Sequence, residues 1–178
     1  MHKIIKAIMV IILSIIAFSG CTWSSSFHSS DNDKINKERI KIMDTIGTLL
    51  RNKHEIDYAN LTNLEQLLKY MTLEFATVFK KQIPEYKETY KKDKHIENVL
   101  SSRTSELVLE TETTASAKSY IGTVGSIKDE EFIHLTIYIS KAKKLNGKWL
   151  VDEINLEEVI EVESIEEMKE KMWEKPPS

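Results

Sequence analysis

The sequence predicts an α+β domain, with helices first and an antiparallel sheet of four strands after them. Three observations predict it. Apolar residues recur at helical spacing from Lys34 to Leu100. From Glu106 the period drops to two. Glycine and proline number only 5 and 3 in 178 residues, which leaves little room for long irregular stretches.

The N-terminus comes first in the chain and carries its own signal. Lys3 and Lys6 make a basic start, Ala7–Phe18 is apolar apart from Ser14, and Ser19-Gly20 precede Cys21, the single cysteine. A basic start, a short apolar core and a small-residue exit make a secretory signal peptide. A run of about a dozen residues falls short of the roughly 20 needed to span a bilayer. Phe18-Ser19-Gly20-Cys21 resembles the bacterial lipobox, with Phe18 where the family usually has an aliphatic residue. The resemblance implies cleavage before Cys21 and diacylglycerol on its sulfur, a lipid anchor on the extracytoplasmic face of a bacterial membrane. Residues 1–20 are therefore expected to be a signal peptide. Residues 21–33, serine-rich and without periodicity, are expected to be the lipidated cysteine and a flexible tether.

Within the domain, expected over residues 34–160, the first helix covers Lys34–Asn52, with Ile35, Ile42, Ile46, Leu49 and Leu50 on one stripe. A stronger one covers Asn60–Gln82 through Leu61, Leu64, Leu68, Met71, Phe75 and Val78. Thr62 and Glu65 fit a capping box at its start, and Pro84 is expected to end it. A third, weaker helix runs over Pro84–Leu100, with Tyr86 and Tyr90 on one side and Lys91, Lys92 and Lys94 toward solvent. Leu107, Leu109, Thr111 and Thr113 then alternate with glutamates as a first strand. Lys118–Ile127, Glu131–Lys143 and Gly147–Leu156 follow as an antiparallel meander. Residues 161–178 are expected to be an amphipathic helix and tail. Ser164 and Glu167 cap that helix, and Ile165, Met168, Met172 and Trp173 form its stripe.

The last hairpin predicts its own register. Asn146-Gly147 suits a two-residue type I′ turn. It sets Leu145 against Lys148, Lys143 against Leu150, Lys141 against Asp152, Ile139 against Ile154 and Ile137 against Leu156. The opposite face carries Phe132, His134, Thr136, Tyr138 and Ala142, with Trp149, Val151, Glu153 and Asn155 on the partner strand. An aromatic, partly apolar second face asks for a cover: the C-terminal helix, a second copy or a partner protein.

Charge and motifs exclude several function classes. Loss of Lys3 and Lys6 takes the basic residues from 25 to 23 against 28 acidic, a net charge of −5, which disfavours a non-specific nucleic-acid binder. With one cysteine there is no internal disulfide. The five histidines form no i, i+4 metal pair, and no phosphate loop, nucleophile elbow or dinucleotide fingerprint occurs; no cofactor is expected. The one acid–base candidate is His134 with Glu157, diagonal to each other if the pairing runs that far. Glu157, Glu158, Glu161, Glu163, Glu166 and Glu167 are interspersed with Ile and Val. They read as a solvated acidic edge rather than a calcium loop.

The long Asn60–Gln82 helix and the closing hairpin, with its Lys148-Trp149-Leu150-Val151-Asp152 strand, resemble the nuclear transport factor 2-like fold. There a curved sheet wraps a long helix as a cone. The weaker architectural resemblance is to scaffold subunits of conjugation and type IV secretion channels: membrane attachment, short linker, one such domain. These resemblances imply a non-enzymatic assembly subunit bound to an envelope protein or to a second copy. The aromatics of the hairpin's second face, Phe132, Tyr138 and Trp149, are the candidate contact residues, since aromatics on a sheet face make effective hot spots. The alternatives are a small-ligand lipoprotein using the cone interior and an enzyme built on His134 and Glu157.

Overall fold

The computed structural model describes residues 25–174. Cys21 and the expected cleavage site lie outside them. Contacts divide the chain between Ile40 and Lys41, and the α+β unit comprises the described residues from Lys41 onward.

Helix α1 spans Ser25–His54, beginning among residues whose serine-rich sequence suggested a tether. In the α+β unit it buries Ile42, Ile46, Leu49 and Leu50 completely. It ends with Arg51, Lys53 and His54 in its last turn, where cations complement the helix dipole.

The expected Asn60–Gln82 helix is broken in two. A short helix α2, Asn63–Gln66, runs into a 3-10 turn at Leu67–Tyr70, and Thr62 makes no side-chain cap. Helix α3 then spans Leu73–Lys92. Thr72 caps it, its hydroxyl accepting from the Phe75 amide, while its own amide donates to the Val151 carbonyl at 2.8 Å. Its hydroxyl also donates to Asp152 at 3.0 Å. Hydrogen bonding to the last strand thus interrupts a stripe that is continuous in sequence. Pro84 lies inside α3 instead of ending it. Pro84 and Lys80 are both exposed, so water can reach the Lys80 carbonyl that the missing amide leaves unpaired, while Phe79 and Ile83 hold the opposite face in the core. The third helix therefore merges with the second and stops at Lys92, and Lys94 turns the chain with φ 48°.

The sheet is curled and has five strands in the order β1-β2-β3-β4-β5, all pairs antiparallel. The fifth strand beyond the expected four is β1, the two residues Ile56–Asp57, paired with the start of β2 (Ile96–Leu109). Residues 96–100, expected as the end of a helix, are therefore strand. The others are β3 (Thr114–Ile127), β4 (Glu130–Leu145) and β5 (Lys148–Glu161).

The β4–β5 turn is as expected, with Asn146 at φ 50° and Gly147 at φ 79°. Leu145 pairs with Lys148 and Lys143 with Leu150. Beyond them a bulge inserts Asp152, and the register slips by one: Lys141 faces Glu153, Ser140 faces Ile154 and Tyr138 faces Leu156. The bulge aims Asp152 away from the ladder toward Thr72 and Lys143, the latter at 2.7 Å. A second bulge, at Glu157, shifts the pairing by one residue more, so that Ile137 faces Glu158 instead of the expected Leu156.

The two faces of the sheet are covered by different elements. Ala115, Ala117, Ile121, Tyr138, Ala142, Trp149 and Val151 join the α1–α3 side chains in the main core, so this face is the concave one. The aromatic face of the hairpin is thus covered by the preceding helices. The C-terminal helix, α4 (Ile165–Trp173), packs on the opposite face, where Met168 and Met172 meet Leu135 and Val162. Ser164 caps it as expected. Gly122 permits the approach: a Cβ there would lie 2.4 Å from Met168 Sδ.

Replacing Pro84 by Ala should restore an interior helix bond on an exposed face. We expect stabilisation of about 1–3 kcal/mol in denaturant melts. A loss of stability would show that α3 depends on the proline ring.

Candidate functional site

The side chains with the strongest chemistry lie under the concave face. His54 is the last residue of α1, four beyond Leu50 and eight beyond Ile46, so it continues the buried stripe. Glu97 is the second residue of β2 and points inward, 6 % exposed. Their side chains meet with His54 Nδ1 2.8 Å from Glu97 Oε1. His54 Nε2 is 2.7 Å from the Tyr138 hydroxyl, and Lys53 Nζ donates to that same hydroxyl at 3.1 Å. His95 Nε2 lies 3.3 Å from the second Glu97 oxygen, without hydrogen-bond alignment. Thr123 lies beside Glu97, and its fully buried hydroxyl also lacks an aligned partner.

One protonation pattern satisfies the chain of contacts. Lys53 donates to Tyr138 Oη, Tyr138 donates to His54 Nε2, and His54 Nδ1–H donates to Glu97. It requires neutral His54 and ionised Glu97. Burial lowers the His54 pKa, and the Glu97 bond only partly offsets that. Burial alone would raise the Glu97 carboxyl, but the contacts with His54 and His95 outweigh it and hold it down at about 2. Burial also lowers Lys53, against the attraction of Glu97, and raises the Tyr138 phenol. Tyr90, beside His95, is pushed up to about 12 by burial and by Glu97.

This arrangement could shuttle a proton, but the side chains of the main core enclose it. A cleft of about 570 Å3 opens elsewhere, at the end of the sheet. Ile96, Phe132, Ile133 and Val162 line it, with Glu131, Glu161 and Glu163. Phe132 is among the lining residues and Glu97 is not. Among the described residues no group of three His, Cys, Asp or Glu side chains could hold a metal ion.

The residues expected to form a contact surface lie apart. Trp149 is 2 % exposed and Tyr138 4 % exposed, both in this chain's own core. They are reassigned from contact surface to core, because α1 and α3 supply the cover. Phe132 is half-buried, its ring stacked 4.3 Å from His134. His134 and Glu157 are not brought together. His134 faces Glu161 across the ladder, and Glu157 sits at its bulge bound to Lys118 at 2.7 Å. Sequence reasoning missed Lys53, His54, His95 and Glu97. The signal for His54 was its place on the Ile46–Leu50 stripe. Glu97 becomes legible only once Ile96–Leu100 is read as strand.

No protein-family model matches the chain, and no curated protein matches it. Solved structures share its fold. An IcmL-like type IV secretion system protein from Legionella pneumophila subsp. pneumophila str. Philadelphia 1 aligns with TM-score 0.53 and 14 % identity, over 71 % of this chain and 94 % of that one. The intermembrane space region of the chloroplast protein ARC6 aligns at TM-score 0.49 and 8 % identity, over 64 % of this chain and 95 % of that one, too distant to carry an argument. Among the described residues no helix is long and apolar enough to cross a membrane.

Trp149→Ala should cost about 3–5 kcal/mol, as removal of a large core side chain does, read as loss of the circular-dichroism melt. A variant as stable as the parent would return Trp149 to the surface. The polar cluster predicts an acid-sensitive fold. His54 and Glu97 both have pKa values lowered in the folded state, so each contributes stability above its unfolded pKa that is lost on acidification. Stability should fall below pH 6.5 through His54, and further between pH 4.5 and about 2 through Glu97. His54→Gln should flatten the upper step in denaturant titrations; an unchanged profile would remove His54 from this role.

Proposed function

We propose that this chain is an extracytoplasmic lipoprotein, anchored through Cys21, that serves as a non-enzymatic assembly subunit of a secretion-type envelope machine. The observation that carries the reading is the likeness in fold to the IcmL-like secretion-system protein over 94 % of that chain. Two features support it. The N-terminus has the lipobox pattern up to Cys21, and one lipid-bearing thiol with a second acyl chain suffices for stable anchoring. The concave face is filled by Ile42, Ile46, Leu49, Leu50, Phe79 and Ile83, which leaves the acid–base cluster closed to a substrate. On this reading the fold is a nuclear transport factor 2-like cone whose interior is packed rather than ligand-filled. The small-ligand alternative asks for that space to be open.

The test is made on the full chain in its own membrane. Labelled palmitate should enter the parent and not Cys21→Ser, and crosslinking should recover subunits of one envelope machine only with the anchored form. Labelling of Cys21→Ser would overturn the anchor. Recovery of the chain alone would overturn the assembly role.

A further inference from the structure

The corner where α1 meets β1 is held differently from the helix it ends. Ile42, Ile46, Leu49 and Leu50 are completely buried, so apolar contacts that do not titrate hold the body of α1. Beyond Leu50 the ties are mostly polar. His54 bridges Glu97 of β2 and Tyr138 of β4, and Lys53 reaches the same Tyr138 hydroxyl. The Tyr58 amide donates to the His95 carbonyl at 3.1 Å, and Glu55 accepts from the Val99 amide at 3.2 Å. β1 adds two ladder pairs, Ile56 with Glu97 and Asp57 with Ile96, and Ile56 is the buried apolar side chain of the corner.

The surroundings of His54 fit a neutral ring and not a charged one. The titratable groups facing it are Lys53 on α1, Glu97 and His95 on β2, and Tyr138 on β4, with Tyr86 and Tyr90 of α3 behind them. Glu97 is the one carboxylate of this set. With His54 neutral it balances Lys53; with His54 protonated two cations share it, beside His95. The hydrogen bonds fail as well. A protonated Nε2 would donate to the Tyr138 oxygen, which already accepts from Lys53, and the phenol's own hydrogen would lose its acceptor in a buried site.

We infer that the His54 contacts are a proton-operated latch: a proton on His54 releases the α1–β1 corner, Lys53–Tyr58, from β2 and β4 while the body of α1 and strands β3–β5 stay folded. In the released corner the ring is hydrated and takes its proton freely. Release also removes the neighbour of β2 at Ile96 and Glu97. An acid-sensitive overall stability does not require such a step. The latch adds that the first loss is local, because the ties broken by the proton all lie in this corner.

The test is hydrogen exchange of the full chain, read by mass spectrometry at pH 7.5 and pH 5.5, with and without urea below the denaturing range. Each rate is divided by the chemical rate of the free amide at that pH. Peptides covering Lys53–Tyr58 are expected to lose about tenfold in protection on acidification, as one freely titrating histidine in the open form gives. Their rates should not respond to urea, since a small opening exposes little surface. Peptides covering Leu135–Ala142 of β4 are expected to be better protected at both pH values and to exchange faster as urea is added. His54→Gln can donate to Glu97 and accept from Tyr138 without titrating, so its corner should show no acid loss; His95→Gln should show the parent's. Corner rates that rise with urea in step with β4, or a corner without the acid loss, would overturn the inference. So would a loss that survives His54→Gln or vanishes in His95→Gln. The parent's two sets of peptides decide the matter even where His54→Gln does not fold at pH 7.5.

Discussion

A carboxylate buried beneath a sheet imposes conditions on everything that surrounds it. An unpaired charge in the interior costs several kcal/mol, so Glu97 must meet donors that are themselves buried. They come from positions remote in the chain: His54 is 43 residues before it, and Tyr138, which completes the His54 contacts, lies 84 residues beyond His54. Helix α1 must end where His54 can reach β2, and β4 must turn Tyr138 to the concave side. A one-residue slip in either strand would send its side chain to the other face. The cluster thus couples the end of the first helix to the middle of the sheet.

The second constraint is cover. A sheet with apolar residues on both faces needs two layers, and the chain supplies both: α1 and α3 on the concave side, α4 on the convex side. The bulge at Asp152 links these demands. It twists β5, frees Asp152 to hold Thr72, and so positions the start of α3 against the edge of the sheet. The cover is incomplete: Leu100 and Val108 on β2 and Leu156 and Val159 on β5 stay exposed. Function on such a fold is argued from what is left exposed rather than from the architecture, which serves many activities.

Much of this was legible in the residues. Ile42, Ile46, Leu49 and Leu50 marked the buried stripe of α1, Asn146-Gly147 marked the hairpin and its first pairs, and Ser164 with Glu167 marked the last helix. Those signals are local, since each depends on spacing or turn chemistry within a few residues. The α+β order and the closing hairpin therefore follow from the sequence by itself.

The rest required contacts across the chain. Thr72 breaks a helical stripe because Val151 and Asp152 hydrogen-bond to it. Ile96–Leu100 become strand because β1 and β3 flank them. The aromatic face of the hairpin is core because helices from the first half of the chain lie on it, and the polar cluster exists only where three remote segments meet. Periodicity reports that a face is apolar. Only the tertiary structure decided which partner buries it, because burial is a property of pairs of surfaces and not of one segment.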